Sequence, residues 1–243
     1  MDEIILISDP NVLKIPIEEN GEELVGLFDY SEILIDRRKK RPDEHYKVRK
    51  GVLKKLIEAH TYLPAGMNFL VIESFRPLSI QARYFSEYSD ELKKSHTEWD
   101  EKKIYSEASK YVAPPEIIPP HSTGGAIDLT LCDGNGKELD MGTRLNADPE
   151  ESNNACFTLA ENISDEARAN RKILIDALSK ASFVNYPTEW WHWSYGDRYW
   201  AYMTKSEHAV YGSVPMSSLP IVFGLRIFTE LTTHRWRGLI NLF

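Results

Sequence analysis

The segment at residues 113–120, which holds four prolines in eight residues, constrains the fold of this chain more than any other. Each proline removes a backbone donor and pushes the residue before it toward extended geometry, so the segment cannot form the interior of a helix. We therefore expect a stiff, extended arm that presents His121 to the rest of the domain.

Two glycines follow His121 and precede an apolar run at residues 126–131 that is typical of a strand. In a continuous strand, His121 and Asp128 would point to opposite faces because they are seven residues apart. Gly124 and Gly125 interrupt this alternation and permit a turn. The pattern therefore allows the imidazole of His121 and the carboxylate of Asp128 to meet at one point.

Hydrophobic periodicity and turn signals predict a mixture of helices and antiparallel strands along the chain. Predicted helices lie at 45–60, from Leu78 into the 80s, through the 90s and 100s, and from Ser164 onward, where a cap residue precedes two acids. Predicted strands lie at 68–75, 126–131 and 183–195, and the turn at 133–136 predicts a hairpin whose return strand begins at Lys137. This order predicts an α+β domain, a compact antiparallel sheet with flanking helices.

The balance of charge argues against a nucleic-acid partner. The 243 residues carry 29 basic and 37 acidic side chains, a net charge of -8. Phosphate binding draws mainly on clusters of lysine and arginine, and the one dense basic run, at residues 37–41, is more typical of a solvated loop.

The cysteines and the chain ends favour a cytoplasmic protein without stable membrane insertion. Cys132 and Cys156 form no CxxC pair and cannot make a disulfide framework, so we expect two reduced, partly buried thiols. The first residues lack the basic and long apolar stretches of a secretory signal. The longest uncharged run, at 208–225, contains two prolines and several serines and is a poor membrane span.

Three short segments hold the residues suited to chemistry. His121 and Asp128 lie in the first, Glu189 and His192 in the second, and Arg76 ends a predicted buried strand in the third. An acid between apolar strand residues needs a partner that offsets its desolvation. From spacing alone, a metal site and a cluster of buried ion pairs are both open.

As a metal site the set is chemically complete. Two imidazoles and one carboxylate leave the fourth position of a tetrahedral zinc free, as catalysis requires. A further carboxylate can move a proton, and a guanidinium can stabilise an oxyanion. The sequence contains no GxSxG elbow, P-loop or GxGxxG fingerprint that would indicate another chemistry.

The ordered motifs HSTGGAIDLTL at 121–131, MGTR at 141–144 and EWWH at 189–192 resemble the zinc D-alanyl-D-alanine dipeptidases. Arg76-Pro77 and the Asn170-Arg171 pair also fit that family's pattern, and the resemblance spans about residues 45 to 212. It implies one zinc ion per chain and the α+β fold shared with D,D-peptidases and hedgehog-type domains. The implied roles are zinc ligands for His121, Asp128 and His192, general base and acid for Glu189, and transition-state stabiliser for Arg76.

The chain departs from the family pattern at positions that bear on substrate choice. Pro119 and Pro120 stand where members commonly carry serines, and Asn146 stands where vancomycin-resistance members carry the aspartate that meets the substrate's ammonium. Glu73 replaces an aspartate three residues before the arginine. We expect Asn146, Glu73 and Ser122 to contact the substrate.

These observations lead to one principal hypothesis and two alternatives. We expect a zinc peptidase domain at residues 1–212 that cleaves D-Ala-D-Ala or a similar small dipeptide, and an extension at 213–243 that forms a packed helix, or alternatively a membrane-surface helix. A peptidoglycan carboxypeptidase or endopeptidase is the second enzyme reading. The other alternative is a non-catalytic zinc-binding interaction domain. The sequence leaves the oligomeric state open.

Overall fold

The computed structural model describes residues 4–38, 41–109 and 111–214. The helix expected in the extension therefore lies outside the described residues, except for its first two positions. The strands are β1 Leu24–Gly26, β2 Ile33–Ile35, β3 Lys47–Arg49, β4 Met67–Glu73, β5 Ala126–Asp133, β6 Val184–Asn185 and β7 His192–Ser194. The helices are α1 Pro10–Leu13, α2 Lys50–His60, α3 Leu78–Ser95, α4 Glu101–Ala108, α5 Pro120–Thr123, α6 Asp165–Lys180 and α7 Arg198–Thr204.

Five of the strands form one sheet in the order β2-β4-β5-β7-β6, and β1 pairs with β3 in a small second sheet. The predicted α+β class is confirmed. All pairs are antiparallel except β2 with β4, which run parallel, so the main sheet is mixed at that edge.

Strand β5 lies at the centre of the main sheet and divides its two faces. Ile127, Leu129 and Leu131 point to one side, where they join the core together with Leu56 of α2 and Leu174 of α6. Because successive side chains of a strand alternate, the even-numbered residues of β5 point to the opposite side. The sheet therefore has a helix-covered core face and a second face that carries the functional residues.

The predicted helix at 45–60 begins five residues later than expected. Residues 43–46 form a 3-10 turn, and β3 follows with Val48 opposite Val25 of β1 before α2 starts at Lys50. Sheet pairing overrides helical periodicity here. A local sequence pattern contains no information about backbone partners on another segment. The predicted helix start at Ser164 is confirmed, since its hydroxyl accepts from the amide of Ala167.

The proline-rich arm is less extended than expected. Residues 115–117 form a 3-10 turn, and α5 places His121 inside a helical turn. Proline is tolerated in the first turn of a helix, where its missing amide would have no intrahelical partner. The prolines thus exclude a long helix but permit two short turns, which correct the expectation of an extended arm.

The return strand of the predicted hairpin and the predicted strand at 183–195 are both shorter than expected. The turn at 133–136 forms, with the amide of Asp133 donating to the carbonyl of Lys137, but the return strand is reduced to one bridge between Cys132 and Glu138. The strand predicted at 183–195 is divided into β6 and β7 by a turn that contains Glu189.

The structure also bears on the predictions made for the two cysteines, for membrane insertion and for the basic run at residues 37–41. Cys132 and Cys156 are free and buried. Among the described residues, no helix has the length and apolar character needed to cross a membrane. Arg38 of the basic run is exposed, as a solvated loop predicts, and pairs with Asp36. The side chain of Arg41 departs from that prediction, since it is only 12% exposed and pairs with Glu73.

The side chain of Arg171 on α6 holds the long loop after the hairpin. Its guanidinium donates to the carbonyl oxygens of Met141 at 2.8 Å, Phe157 at 2.6 Å and Ala155 at 2.7 Å. Burial lowers the pKa of Arg171 to about 10, so the side chain is still charged at neutral pH. One cation therefore satisfies three carbonyls that regular secondary structure leaves unpaired.

We expect Arg171→Met to lower the free energy of unfolding by about 3 kcal/mol or more, because it leaves buried acceptors without donors. The matched control is Lys172→Met, whose side chain is 74% exposed and whose loss should change stability by less than about 0.5 kcal/mol. Chemical denaturation of both variants checks this. Similar losses of unfolding free energy in the two variants would show that the Arg171 side chain does not hold the loop in place.

Candidate active site

One row of side chains across three strands forms the floor of the site. Asp128 on β5 lies opposite His192 on β7 and opposite Glu73 on β4. A shift of register between Val71 and Glu73 brings Glu73 into this row. Residues directly opposite in a sheet share a face, so the three side chains point into the same space.

His121 reaches this row from α5. Gly124 ends that helix with a φ of 73°, in the left-handed region that glycine adopts at little cost. At Gly125 an added Cβ would lie 2.6 Å from the carbonyl oxygen of Tyr195, so only glycine permits this close approach of the chain to β7. The glycine pair thereby allows His121 and Asp128 to converge, as the sequence pattern permitted.

Three ligand atoms form a compact triangle. Nε2 of His121 lies 3.2 Å from Nδ1 of His192 and 3.3 Å from Oδ1 of Asp128, and Nδ1 of His192 lies 3.0 Å from the same oxygen. All three residues are buried. Nδ1 of His121 lies 2.6 Å from the carbonyl oxygen of Ser74, to which it donates, so Nε2 keeps its lone pair for the triangle.

The triangle fits a zinc ion. Ligand atoms at about 2.0–2.2 Å from a tetrahedral zinc lie about 3.3–3.6 Å from one another, close to the distances observed here. Burial would raise the pKa of Asp128, but His121 and His192 more than offset this and hold it well below its usual range. The carboxylate is therefore ionised, as a metal ligand must be.

Glu189 lies beside the triangle with a different ionisation behaviour. Its Oε2 is 4.0 Å from Nδ1 of His192. Burial, opposed by His192 and Arg76 and reinforced by the charge of Asp128, raises the pKa of Glu189 to about 7. A carboxyl group with this pKa can both accept and donate a proton near neutral pH.

Arg76 lies at the end of β4, fixed on several sides. Its Nε donates to Oε1 of Glu73 at 2.8 Å and its Nη1 donates to Oε1 of Gln81 at 2.9 Å. Its guanidinium lies 5.0 Å from the ring centre of Tyr84 on α3. The side chain is only 16% exposed, so its charge is held in one place within the site.

Glu73 is surrounded by donors. Besides Arg76, Nδ1 of His45 lies 3.2 Å from Oε1, and the guanidinium of Arg41 pairs with Oε2. Burial alone would raise the pKa of Glu73, but the charge of Arg76 and the contacts of His45 and Arg41 hold it well below the usual range. With both oxygens engaged, Glu73 is placed to fix Arg76 rather than to meet a substrate ammonium.

The other two residues expected to bind substrate have different positions. Asn146 lines the cavity with a left-handed backbone at φ 56°. Ser122 is buried behind the wall, where its hydroxyl donates to the carbonyl oxygen of Arg76 at 2.7 Å. This contact supports Arg76, and Ser122 does not line the cavity in which a substrate would lie.

The site opens into a cavity of about 530 Å³ between the sheet and α3. Its wall includes the triangle of His121, Asp128 and His192, together with Glu189, Arg76, Asn146 and the N-terminal residues Leu6, Ile7 and Ser8. The volume is within the range of about 300–1,000 Å³ that is typical of sites for small molecules.

Sequence reasoning missed three residues of this site: Gln81, His45 and Arg41. Gln81 is 2% exposed, and its amide donates to the carbonyl oxygen of Ala113 at 2.7 Å, which ties Arg76 to the proline-rich arm. A polar residue on the inner face of α3 was the available signal for Gln81. Nothing local indicated that His45 and Arg41 would reach Glu73.

Metal-dependent hydrolysis of a peptide bond uses a metal ion, a group that moves a proton and a cation near the oxyanion. This cavity brings together side chains suited to each task, and the chain is thereby a metallopeptidase in class. More particularly, it belongs to the D-ala-D-ala dipeptidase family of the M15 peptidases, whose family model matches residues 26–211.

Two relatives share this assignment. A D-alanyl-D-alanine dipeptidase of Synechocystis is 30% identical over 239 residues, which covers 83% of this chain and 96% of that protein. A D-alanyl-D-alanine dipeptidase of Escherichia coli is 27% identical over 128 residues, covering 53% of this chain and 55% of that protein. The solved structure of VanYB in complex with D-alanine-D-alanine is a remote neighbour, with a TM-score of 0.43, 16% identity and coverage of 76% and 84%.

We expect the purified protein to bind one zinc ion per chain, and His121→Ala or His192→Ala to weaken binding by more than about 100-fold. Loss of an outer-shell partner alone typically costs about 10–100-fold, and these variants lose a ligand. Metal analysis after dialysis against a zinc buffer checks this, with His96→Ala, which removes a half-exposed histidine elsewhere, as the control. Full zinc content in both ligand variants would contradict the assignment.

Proposed function

We propose that this protein is a zinc dipeptidase that hydrolyses D-Ala-D-Ala or a similar dipeptide containing a D-residue. The observation that carries the proposal is the convergence of His121, Asp128 and His192 with Glu189 and Arg76 in one cavity of about 530 Å³. Membership of the dipeptidase family and the names of both relatives support the same substrate class.

In this proposal each side chain has a separate task. Zinc, when held by His121, Asp128 and His192, acts as a Lewis acid that polarises the scissile carbonyl and makes a water molecule more acidic. The carboxylate of Glu189 takes a proton from the attacking water and gives it to the leaving amine nitrogen. The guanidinium of Arg76 stabilises the negative charge that develops on the carbonyl oxygen.

The shape of the cavity favours a dipeptide over a longer peptide. A carboxypeptidase or endopeptidase acting on peptidoglycan needs an open cleft in which the rest of the stem peptide can lie. Here residues 6–8 form part of the wall, and Tyr88 of α3 and Pro149 of the long loop contribute to the same enclosure. A purely structural zinc domain, the third alternative, has no use for Glu189 beside the triangle or for Arg76 fixed in the same cavity.

A panel of dipeptides tests the proposal. The zinc-loaded protein is assayed with the four alanyl-alanine stereoisomers and with D-Ala-D-Ala blocked at either end, and D-Ala-D-Ala should give the highest kcat/KM. Glu189→Gln should keep its zinc and lose about 10²–10⁴-fold in kcat, the usual magnitude of general acid–base catalysis.

Two results would count against this assignment. Hydrolysis of none of the dipeptides by the zinc-loaded protein would reject the dipeptidase function as a whole. Near-normal turnover by a folded, zinc-loaded Glu189→Gln variant would reject the proposed role of Glu189 while leaving the substrate class intact.

The amino end of the substrate is proposed to lie near Asn146. A buried ammonium needs an accepting partner, and a neutral amide oxygen gives a weaker hydrogen bond than a carboxylate does. Glu73 cannot supply the missing charge, because Arg41, His45 and Arg76 occupy its oxygens. We therefore infer weak discrimination between free and N-acetylated dipeptides in this protein.

We expect Asn146→Asp to lower KM for free D-Ala-D-Ala by about 5–30-fold, equivalent to about 1–2 kcal/mol for one charge-assisted hydrogen bond, and to leave KM for N-acetyl-D-Ala-D-Ala unchanged or raised. Steady-state kinetics on both substrates measures this. Asn135→Asp adds the same charge on the exposed hairpin and is the matched control. If neither KM changes in Asn146→Asp, the ammonium is bound elsewhere.

A further inference from the structure

The arginines in the cavity wall differ in how far they are withdrawn from water. Among the described residues that line it, three carry a permanent positive charge: Arg41, Arg76 and Arg144. The side chains of Arg41 and Arg76 are 12% and 16% exposed, whereas that of Arg144 is 45% exposed. Two guanidinium groups are therefore withdrawn from water at one end of the cavity.

Both of these guanidinium groups depend on the same carboxylate. Glu73 pairs with Arg76 through Oε1 and with Arg41 through Oε2. Arg76 also lies in the field of the Asp128 carboxylate, whereas Arg41 shares the carboxylate of Glu73 with Arg76. Two guanidinium groups have more N–H donors than one shared carboxylate can accept, so the corner is suited to a further anion.

A free dipeptide brings such an anion. Its C-terminal carboxylate must leave water when the substrate enters an enclosed cavity, and it then needs a cation of its own. Arg144 is less suited to this task than a buried arginine, since its side chain is 45% exposed and its Nη2 donates to Glu151 at 2.8 Å. In the proposed mechanism, Arg76 is directed at the scissile carbonyl, so Arg41 is the remaining candidate.

We propose that Arg41 binds the free C-terminal carboxylate of the dipeptide and thereby restricts the protein to substrates that end at this subsite. Glu73 positions Arg41 and Arg76 a fixed distance apart, one for the terminal carboxylate and one for the oxyanion. This inference rests on the proposed dipeptidase function. It gives a specific task to a member of the basic run at residues 37–41 that sequence reasoning treated as a solvated loop.

The test compares how tightly the protein binds a dipeptide with a free C-terminal carboxylate and the same dipeptide with a C-terminal amide. Zinc-loaded Glu189→Gln protein, which should bind the dipeptide without cleaving it, is titrated with D-Ala-D-Ala and with D-alanyl-D-alaninamide in a calorimeter. Adding Arg41→Met should raise Kd for the acid by about 10–100-fold, the usual value of a hydrogen bond to a charged group, and change Kd for the amide by less than about threefold.

Arg37→Met in the same background is the matched control. It removes one charge from the same basic run, but Arg37 packs over the ring of Phe28 outside the cavity. Its Kd for the acid should match that of the parent protein. If Arg41→Met does not fold, Arg41→Lys serves instead and should keep part of the preference for the acid, because the charge remains.

The outcomes separate this inference from the proposed function. Equal losses for acid and amide would overturn it, since Arg41 would then act through Glu73 and Arg76 on every ligand alike. An unchanged Kd for the acid would overturn it as well. If native zinc-loaded protein cleaves D-Ala-D-Ala in either case, the dipeptidase function stands without Arg41; if it cleaves no dipeptide, that function itself fails.

Discussion

The buried carboxylate of Asp128 is the group on which the rest of the site depends. It lies on the central strand, 5% exposed, where an uncompensated charge would cost several kcal/mol. Two imidazoles compensate it, His192 from the neighbouring strand and His121 from the turn that Gly124 and Gly125 allow. Because the buried carboxylate needs these partners, three potential ligand atoms come together at one point. Their arrangement fits a zinc ion.

Two glutamates of the cavity, the buried Glu73 and the partly buried Glu189, show how the surroundings set the ionisation of one residue type. Glu73 contacts Arg41, His45 and Arg76, which together hold its pKa well below the usual range. For Glu189, burial outweighs the opposing charges of His192 and Arg76 and raises its pKa to about 7. Carboxyl groups whose pKa values are driven apart in this way suit different tasks: a permanent anion that positions guanidinium groups, and an acid that exchanges protons.

The main features of the site could be predicted from the sequence because they depend on local pattern. Proline-rich residues before His121, a glycine pair, and an acid within an apolar strand each restrict the backbone or require a partner. The predicted cluster of His121, Asp128 and His192 is present in the structure, as is the α+β class. Resemblance to a known family, now confirmed, suggested roles for these residues that spacing alone left open.

Other features depend on contacts between distant segments, which no local pattern records. Residues 47–49 read as helix, yet they form a strand because β1 offers backbone partners. No local pattern singled out Gln81, yet it bonds Arg76, and Arg41 belonged to a predicted solvated loop, yet it pairs with Glu73. The sequence by itself therefore determined which residues could bind a metal and move a proton. Only the tertiary structure decided which charges share a partner, because pairing across a sheet and a cavity depends on distance in space.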